Sequence, residues 1–198
     1  MRIIAGLARG RRLFTPGSRG GETIRPTADR AREALFNILG REVVAGAMAL
    51  DLFAGTGALG LEALSRGARE AFFFDHSPLA LDLIHKNIIA CGFSATAHVL
   101  RHDLLKGHFF WPRSAGPAPT FDLIFLDPPY RQGHCTKILP ELLSQNIVGD
   151  GAWVICEDDS SQQLPERIAS LRLEDQRAYG DTGFWFYHQN LSLQEGTA

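Results

Sequence analysis

Asp127-Pro128-Pro129-Tyr130 follows Phe121 to Leu126, a run that is almost wholly apolar. Two consecutive prolines hold a stiff, extended turn and leave the Pro128 carbonyl able to accept a hydrogen bond. Asp127 supplies a second acceptor, and Tyr130 a flat face. The amino group of a nucleic-acid base is a poor nucleophile, because its lone pair is delocalised into the ring. Two acceptors that grip its two hydrogens orient it and favour a more pyramidal nitrogen. The lone pair then aims in line at an electrophilic methyl group. Such catalysis rests on positioning, with electrostatic help as positive charge grows on nitrogen. Tyr130 can stack on a base turned out of its helix. Asp127, Pro128, Pro129 and Tyr130 are therefore the candidate catalytic residues.

A second cluster lies upstream. Asp51-Leu52-Phe53-Ala54-Gly55-Thr56-Gly57-Ala58-Leu59-Gly60 follows an apolar run and opens a helical one. Glycines there let the backbone approach a ligand, and a helix N-terminus offers N–H groups. Gly55, Gly57 and Gly60 satisfy GxGxxG, and Asp75 ends the next apolar run, where an acid can bind ribose hydroxyls. Alone, this pattern also fits a nicotinamide dinucleotide. Asp51 tilts it. A carboxylate beside a pyrophosphate would be repelled, whereas S-adenosylmethionine carries an ammonium and a sulfonium. Asp103 follows a third strand, where an adenine edge would lie. Asp127 follows a fourth. Acids at the ends of four successive strands line the crevice where open α/β sheets bind ligands.

Charge is unevenly spread. Residues 1–32 hold eight arginines (Arg2, Arg9, Arg11, Arg12, Arg19, Arg25, Arg30, Arg32) against two acids, whereas the rest of the chain has 12 basic and 20 acidic residues. A basic arm on an acidic body points to a polyanionic partner, with phosphate contacts that position a nucleic acid without reading its sequence. The RNA-binding candidates are Arg2, Arg9, Arg11, Arg12, Arg25 and Arg30. Cys91, Cys135 and Cys156 show no metal spacing, so free thiols in a reducing compartment and no metal are expected. With no apolar signal core or membrane-length run, a cytoplasmic location and no membrane partner are expected. Nothing demands a dimer, and a monomer is expected.

These residues need a frame to hold them. At 198 residues, 45% of them hydrophobic, the chain suits one domain with a short appendage. Residues 1–22 suggest a hairpin or partly ordered arm, with a loop from Gly17 to Gly21. Thr27 is expected to cap a helix through Ala31, Leu35, Ile38 and Leu39, with Gly40 as its stop. Ala47 to Phe53 predicts a strand, Ala58 to Arg66 a helix stopped by Gly67, and Glu70 to Asp75 a strand. Ser77 caps the next helix, Pro78 fits its first turn, and Gly92 ends it after Cys91. Ala95 to Arg101 and Phe121 to Leu126 predict strands, the latter apolar enough to be buried on both faces. A helix near Lys137 to Ser144, a strand from Ala152 to Cys156, a short helix near Leu164 to Ser170 and strands near Leu173 to Ala178 and Phe184 to His188 follow. Strands alternating with helices predict a doubly wound α/β sheet. The expected division is a basic arm or hairpin at 1–24, a catalytic domain at 25–190 and a flexible tail at 191–198.

Arg25-Pro26-Thr27 with Arg30-Ala31-Arg32-Glu33-Ala34-Leu35-Phe36-Asn37, then Asp51 to Gly60, Leu126 to Tyr130 and Tyr179-Gly180-Asp181-Thr182 resemble the RsmD family. These are bacterial methyltransferases of small-subunit (16S) ribosomal RNA that make N2-methylguanosine. The resemblance implies a Rossmann-like class I methyltransferase fold, with a seven-stranded, mostly parallel sheet whose last strand is antiparallel. It implies S-adenosylmethionine as donor, S-adenosylhomocysteine as product, and a guanine of small-subunit rRNA or an assembling 30S particle as acceptor. Asp51, Gly55 and Gly57 match the donor turn, Asp75 the ribose acid, Asp103 the adenine-side acid and Asp127 to Tyr130 the reaction motif. Thr27, Phe53, Ala54, Thr56, His76 and Leu104 complete the candidate donor-binding set, to which Asp127 also belongs. Phe184-Trp185-Phe186 is bulkier than the family leads one to expect.

Other functions stay open at this level. The Asp-Pro-Pro-Tyr motif also suits an adenine-N6 methyltransferase of DNA or RNA. A nicotinamide-dependent oxidoreductase or a non-catalytic RNA-binding factor would fit the glycine turn or the arm alone. Phe109, Phe110 and Trp111 read as an apolar cluster rather than a base-stacking platform, and His134 and Cys135 as loop residues without a chemical role.

Overall fold

The computed structural model describes residues 1–17, 26–106, 109, 111–112 and 115–190. Arg19, Arg25, Phe110, the tail from 191 and most of the loop expected after Gly17 lie outside them. The chain divides into two compact units, Met1–Asp103 and Leu104–Ala198.

In the first unit the N-terminal residues make a hairpin. Arg2 and Arg12 form an antiparallel bridge, the Ile3 amide donates to Arg11 O at 2.9 Å and the Gly10 amide to Ile3 O at 2.9 Å. Ile3, Ala8 and Leu13 are buried, so this arm is packed down. Helix α1 (Pro26–Val44) buries Ala31, Leu35 and Leu39. One expectation changes here. Thr27 falls inside the helix instead of capping it. Gly40, at φ 74°, leaves helical geometry and breaks the helix where a stop is expected, before a short helical stretch runs on to Val44.

Strand β1 (Met48–Leu52), helix α2 (Ala58–Ser65), strand β2 (Glu70–Asp75), helix α3 (Pro78–Cys91) and strand β3 (Ala97–Arg101) follow. β1 pairs with β2 and β2 with β3, all parallel, in the order β3-β2-β1. The helices supply the crossovers that parallel pairing requires. The bounds of α3 follow from chemistry legible in the sequence. Ser77 Oγ accepts the Ala80 amide, Pro78 opens the helix, and Gly92 closes it at φ 79°.

The second unit opens with a 3-10 turn, Leu104–Lys106, and contains strand β4 (Phe121–Leu126), helix α4 (His134–Ser144), strand β5 (Val148–Asp159), strand β6 (Arg167–Ile168), strand β7 (Leu171–Tyr179) and strand β8 (Thr182–Gln189). β4 and β5 are parallel, and β8, β7 and β6 continue the order antiparallel. The fold is thus α/β, with mostly parallel central strands and antiparallel C-terminal ones. The described residues hold eight strands instead of seven; β8, the last, opposes both of its neighbours, so β7 keeps the direction of β5 and only β8 and the two-residue β6 run against the parallel strands.

The extra strand replaces the helix expected near Leu164 to Ser170. The Pro165 carbonyl accepts the Tyr187 hydroxyl at 2.7 Å, which holds this segment against β8. Ala169, at φ 52°, turns the chain so that Ile168 pairs with Leu171. Positive φ in a two-residue connection matches the twist of a β-hairpin. β5 also runs longer than expected, through Glu157, Asp158 and Asp159. His134 and Cys135 open α4 and are buried there, so they are not loop residues. Phe184, Trp185 and Phe186 are buried in β8, which gives their bulk a packing role.

Candidate active site

The first unit builds the glycine turn from both ends. At the end of β1, Phe53 takes φ 61°. That is a costly conformation for a bulky residue and persists only where its surroundings enforce it. Gly55 (φ 56°) and Gly57 (φ 75°) continue the turn in a region that glycine enters at no steric cost. Gly60 serves packing. A Cβ there would lie 2.4 Å from Phe73 Cε1.

Two carboxylates clamp this turn. Asp51 Oδ2 accepts the Gly60 amide at 2.9 Å, in the first turn of α2. Asp75 Oδ2 accepts the Gly55 amide at 2.9 Å, and its Oδ1 the Ser77 amide at 2.9 Å. Asp51 is buried, and its carboxyl is pushed up to about 8 by burial, with Asp75's negative charge adding and the Gly60 N–H opposing. A buried carboxyl with a second acid beside it suits a cationic ligand and opposes an anionic one.

The remaining candidates of this unit have distinct settings. His76 is about half exposed, with Nδ1 3.7 Å from Asp75 Oδ1. Ala54 is buried, and its amide donates to Phe74 O at 3.0 Å. Asp103 is half-buried just past β3. Thr27 lies in the first turn of α1, and its side chain is outside the described residues. Leu104 opens the second unit and is buried.

The reaction motif belongs to the second unit. Asp127 is half-buried, Pro128 buried, Pro129 exposed and Tyr130 37% exposed. The Tyr130 hydroxyl donates to Glu157 Oε1 at 2.6 Å and lies 3.1 Å from Thr182 Oγ1. Burial, then Glu157, raises the Tyr130 phenol far above its usual range, so the group is a neutral donor. Burial also raises Glu157. The chain then turns at Arg131 (φ 63°). The Arg131 amide donates to Asp158 Oδ1 at 2.8 Å, and its guanidinium Nη2 reaches Asp159 Oδ2 at 2.7 Å.

Glu157, Asp158 and Asp159 are functional candidates that sequence reasoning missed. The signal was present: acids at the C-terminal ends of strands marked the site elsewhere, and these three end β5. Tyr179-Gly180-Asp181-Thr182 also gains a physical role, since the β7–β8 turn sets Thr182 beside the Tyr130 hydroxyl.

The family model described as conserved hypothetical protein 95 matches residues 1–188. Ribosomal RNA small subunit methyltransferase D of Escherichia coli (strain K12) is 33% identical over 189 residues, 96% of this chain and 90% of that one. The chain belongs to the RsmD family of methyltransferases. The solved structure of Escherichia coli yhhF superimposes at a TM-score of 0.77 with 31% identity, covering 96% of this chain and 98% of that one. At 18% identity, SMU.776, crystallised with S-adenosylhomocysteine, shares the fold over 83% of this chain and 50% of its own (TM-score 0.61).

Within this family member, three of the arginines expected to meet RNA come together. Arg2, Arg9 and Arg30 line one cleft of about 620 Å³ with Asp29 and Glu33. Arg11 and Arg12 are exposed on the hairpin. Arg32 does not join them. It is buried, donates to Arg2 O at 2.6 Å and pairs with Asp29 at 3.0 Å. The phosphate-contact expectation for the whole run of arginines therefore fails at Arg32, which holds the hairpin instead. Phe109 is buried, as an apolar cluster requires. Among the described residues no side-chain cluster could hold a metal ion, and no helix is long and apolar enough to cross a membrane.

Proposed function

We propose that this protein transfers a methyl group from S-adenosylmethionine to the exocyclic N2 of a guanine in small-subunit ribosomal RNA during ribosome assembly. Family membership supports methyl transfer, and the name of the Escherichia coli relative supports ribosomal RNA. The observation that carries the chemistry is Tyr130, its hydroxyl fixed by Glu157 and its ring part-exposed three residues after Asp127.

In this reading the glycine turn holds the donor and Asp127 to Tyr130 hold the acceptor base. S-adenosylmethionine supplies a methyl group on a positively charged sulfur. Asp51 and Asp75 fit that charge, because burial and the neighbouring Asp75 disfavour the ionised form of Asp51 in the absence of a cation. The backbone of Gly55 to Gly57 and the carboxylate of Asp75 would hold the donor, with Asp103 towards the adenine and Phe53, Ala54, Thr56, His76 and Leu104 around it. SMU.776, bound to S-adenosylhomocysteine, has the same fold and supports this donor class.

Asp127 and the Pro128 carbonyl accept the two amino hydrogens of the base and fix the direction of the nitrogen lone pair. Tyr130 stacks on the base and excludes water from its face. The amine releases its proton to water after transfer, so no residue is required as a general base. Arg2, Arg9, Arg11, Arg12, Arg25 and Arg30 carry phosphate contacts.

The test is incubation with labelled donor and small-subunit particles lacking the modification, with bare DNA in parallel, followed by digestion to nucleosides. Label is expected in N2-methylguanosine from the particles. Label confined to N6-methyladenosine would replace guanine by adenine as the acceptor, and no label from any nucleic acid would leave an RNA-binding factor.

A further inference from the structure

Asn87 lies in α3, outside every group of residues expected to act. Its side chain is fully buried. Nδ2 donates to Thr56 O at 2.9 Å and to Phe14 O at 3.1 Å, and Oδ1 accepts the Phe14 amide at 2.6 Å. Phe14 directly follows the hairpin, whose last bond runs from the Leu13 amide to Met1 O. Thr56 lies between the two left-handed glycines of the donor turn. One amide therefore grips the end of the arginine-bearing hairpin with two bonds and the donor turn with a third. Thr56 Oγ1 also sits 3.5 Å from Met1 Sδ, a second contact at the same junction.

No other side-chain type of this size offers two N–H donors and one acceptor from a single rigid plane. Aspartate loses both donors, and leucine all three bonds. The far end of the hairpin is seated separately: Glu62 accepts the amides of Ile4 at 2.8 Å and Ala5 at 3.0 Å, and Ser65 Oγ accepts that of Ala8 at 3.0 Å. The hairpin thus stays attached to α2 whatever Asn87 does, and the bonds of Asn87 add a link to the glycine turn alone.

We propose that Asn87 is a positioning residue that couples the hairpin to the donor turn, so that RNA on the hairpin and donor in the turn raise one another's affinity. The coupling rests on the functional reading above. Each ligand orders one end of the Asn87 network, and linkage makes the effect reciprocal.

The experiment measures S-adenosylhomocysteine binding to the full chain by calorimetry, with and without a small-subunit RNA fragment, and RNA binding with and without S-adenosylhomocysteine. The expected result is enhancement by the same factor in both directions, about fivefold or more. In Asn87→Asp and Asn87→Ala that factor falls towards one. A native protein that binds both ligands independently overturns the coupling alone, as do variants that keep the native factor. A native protein that binds neither ligand overturns the functional reading and the coupling with it. Hydrogen exchange on the native chain tests the same link without a substitution. S-adenosylhomocysteine should slow exchange of the Phe14 amide more than that of the Gly10 amide, which bonds inside the hairpin. Equal slowing overturns the proposal.

Discussion

The hydroxyl of Tyr130 donates to the Glu157 carboxylate at 2.6 Å, although the two residues stand on different strand ends of the second unit. The phenol is thereby committed to the protein, and only the ring face is left for a base. Tyr130→Phe keeps the face and loses the anchor. Its rate under single-turnover conditions should fall by less than tenfold. Tyr130→Ala removes the face as well. Stacking on an aromatic ring is worth about 1–3 kcal/mol per base, so a loss of roughly 5- to 150-fold in kcat/KM for RNA is expected. Equal effects of the two substitutions would place the contribution in the hydroxyl instead.

Asp127→Ala separates chemistry from donor binding. Methyl transfer should be abolished, because one of the two acceptors for the base amino group is gone. S-adenosylhomocysteine affinity should change by no more than a few-fold in calorimetry. A variant that still methylates at near-native rate would remove Asp127 from the mechanism.

Donor affinity should depend on pH through Asp51. Its carboxyl is held up to about 8 by burial and by Asp75. A cationic donor favours the ionised form. Affinity for S-adenosylmethionine should therefore rise as pH increases from 6 to about 8 and level off above, with a limiting slope of about tenfold per unit. Asp51→Asn should flatten the profile. The same group acts on stability with the opposite trend. Between about pH 4 and 8 the folded chain keeps a proton that the unfolded chain has released, so this contribution falls as pH rises through that window. Urea denaturation of the native chain and Asp51→Asn across the window checks the sign.

Gly60→Ala should cost stability before it costs chemistry. The new methyl group would lie 2.4 Å from Phe73 Cε1, inside a packed layer between α2 and β2. Overpacking of this kind costs about 1–3 kcal/mol. The urea midpoint should drop accordingly with an unchanged slope.

The arginine cleft makes a salt prediction. Replacing Arg2, Arg9 and Arg30 together by alanine should weaken RNA binding at low salt and flatten the dependence on salt. Each lost phosphate contact to single-stranded RNA lowers the slope of log K against log salt by about 0.7. Arg32→Ala should act differently. It removes the bond to Arg2 O and the ion pair with Asp29, so it should lower the melting temperature and leave the salt slope nearly intact. Filter binding over a salt series, alongside thermal unfolding, separates the two classes.

Much of this molecule was legible from local chemistry. The bounds of β2, α3 and β4 were readable because punctuation and pattern coincide there: Ser77 and Pro78 at one end of α3, Gly92 at the other, unbroken apolar runs in the strands. Features decided by distant contacts were not. Arg32 looks like any other arginine of a basic arm until Asp29 and the Arg2 carbonyl close on it. Asn87 carries no motif, and its role exists only because residues 14 and 56 meet. The helix expected near Leu164 failed because the Tyr187 hydroxyl and the left-handed turn at Ala169 outweigh a weak helical pattern. Glu157 to Asp159 were missed because β5 was ended at Cys156, three residues early.

The two-residue strand β6 has a consequence for the behaviour of the chain at high concentration. A long, flat strand at the border of a sheet is a template on which another chain can add. β6 covers only Leu171 and Arg172 of β7, and beyond them no strand among the described residues pairs with the outer side of β7. β7 itself is bulged where its register against β8 shifts between Leu173 and Asp175, and it carries the Arg172–Glu174 and Arg177–Asp175 ion pairs. A bulge twists the backbone away from a would-be partner, and charges must be stripped of water before one can dock. The C-terminal border of the sheet is therefore guarded against fibril-like growth by its irregularity, and straightening it with Asp175→Val should make the protein prone to aggregate.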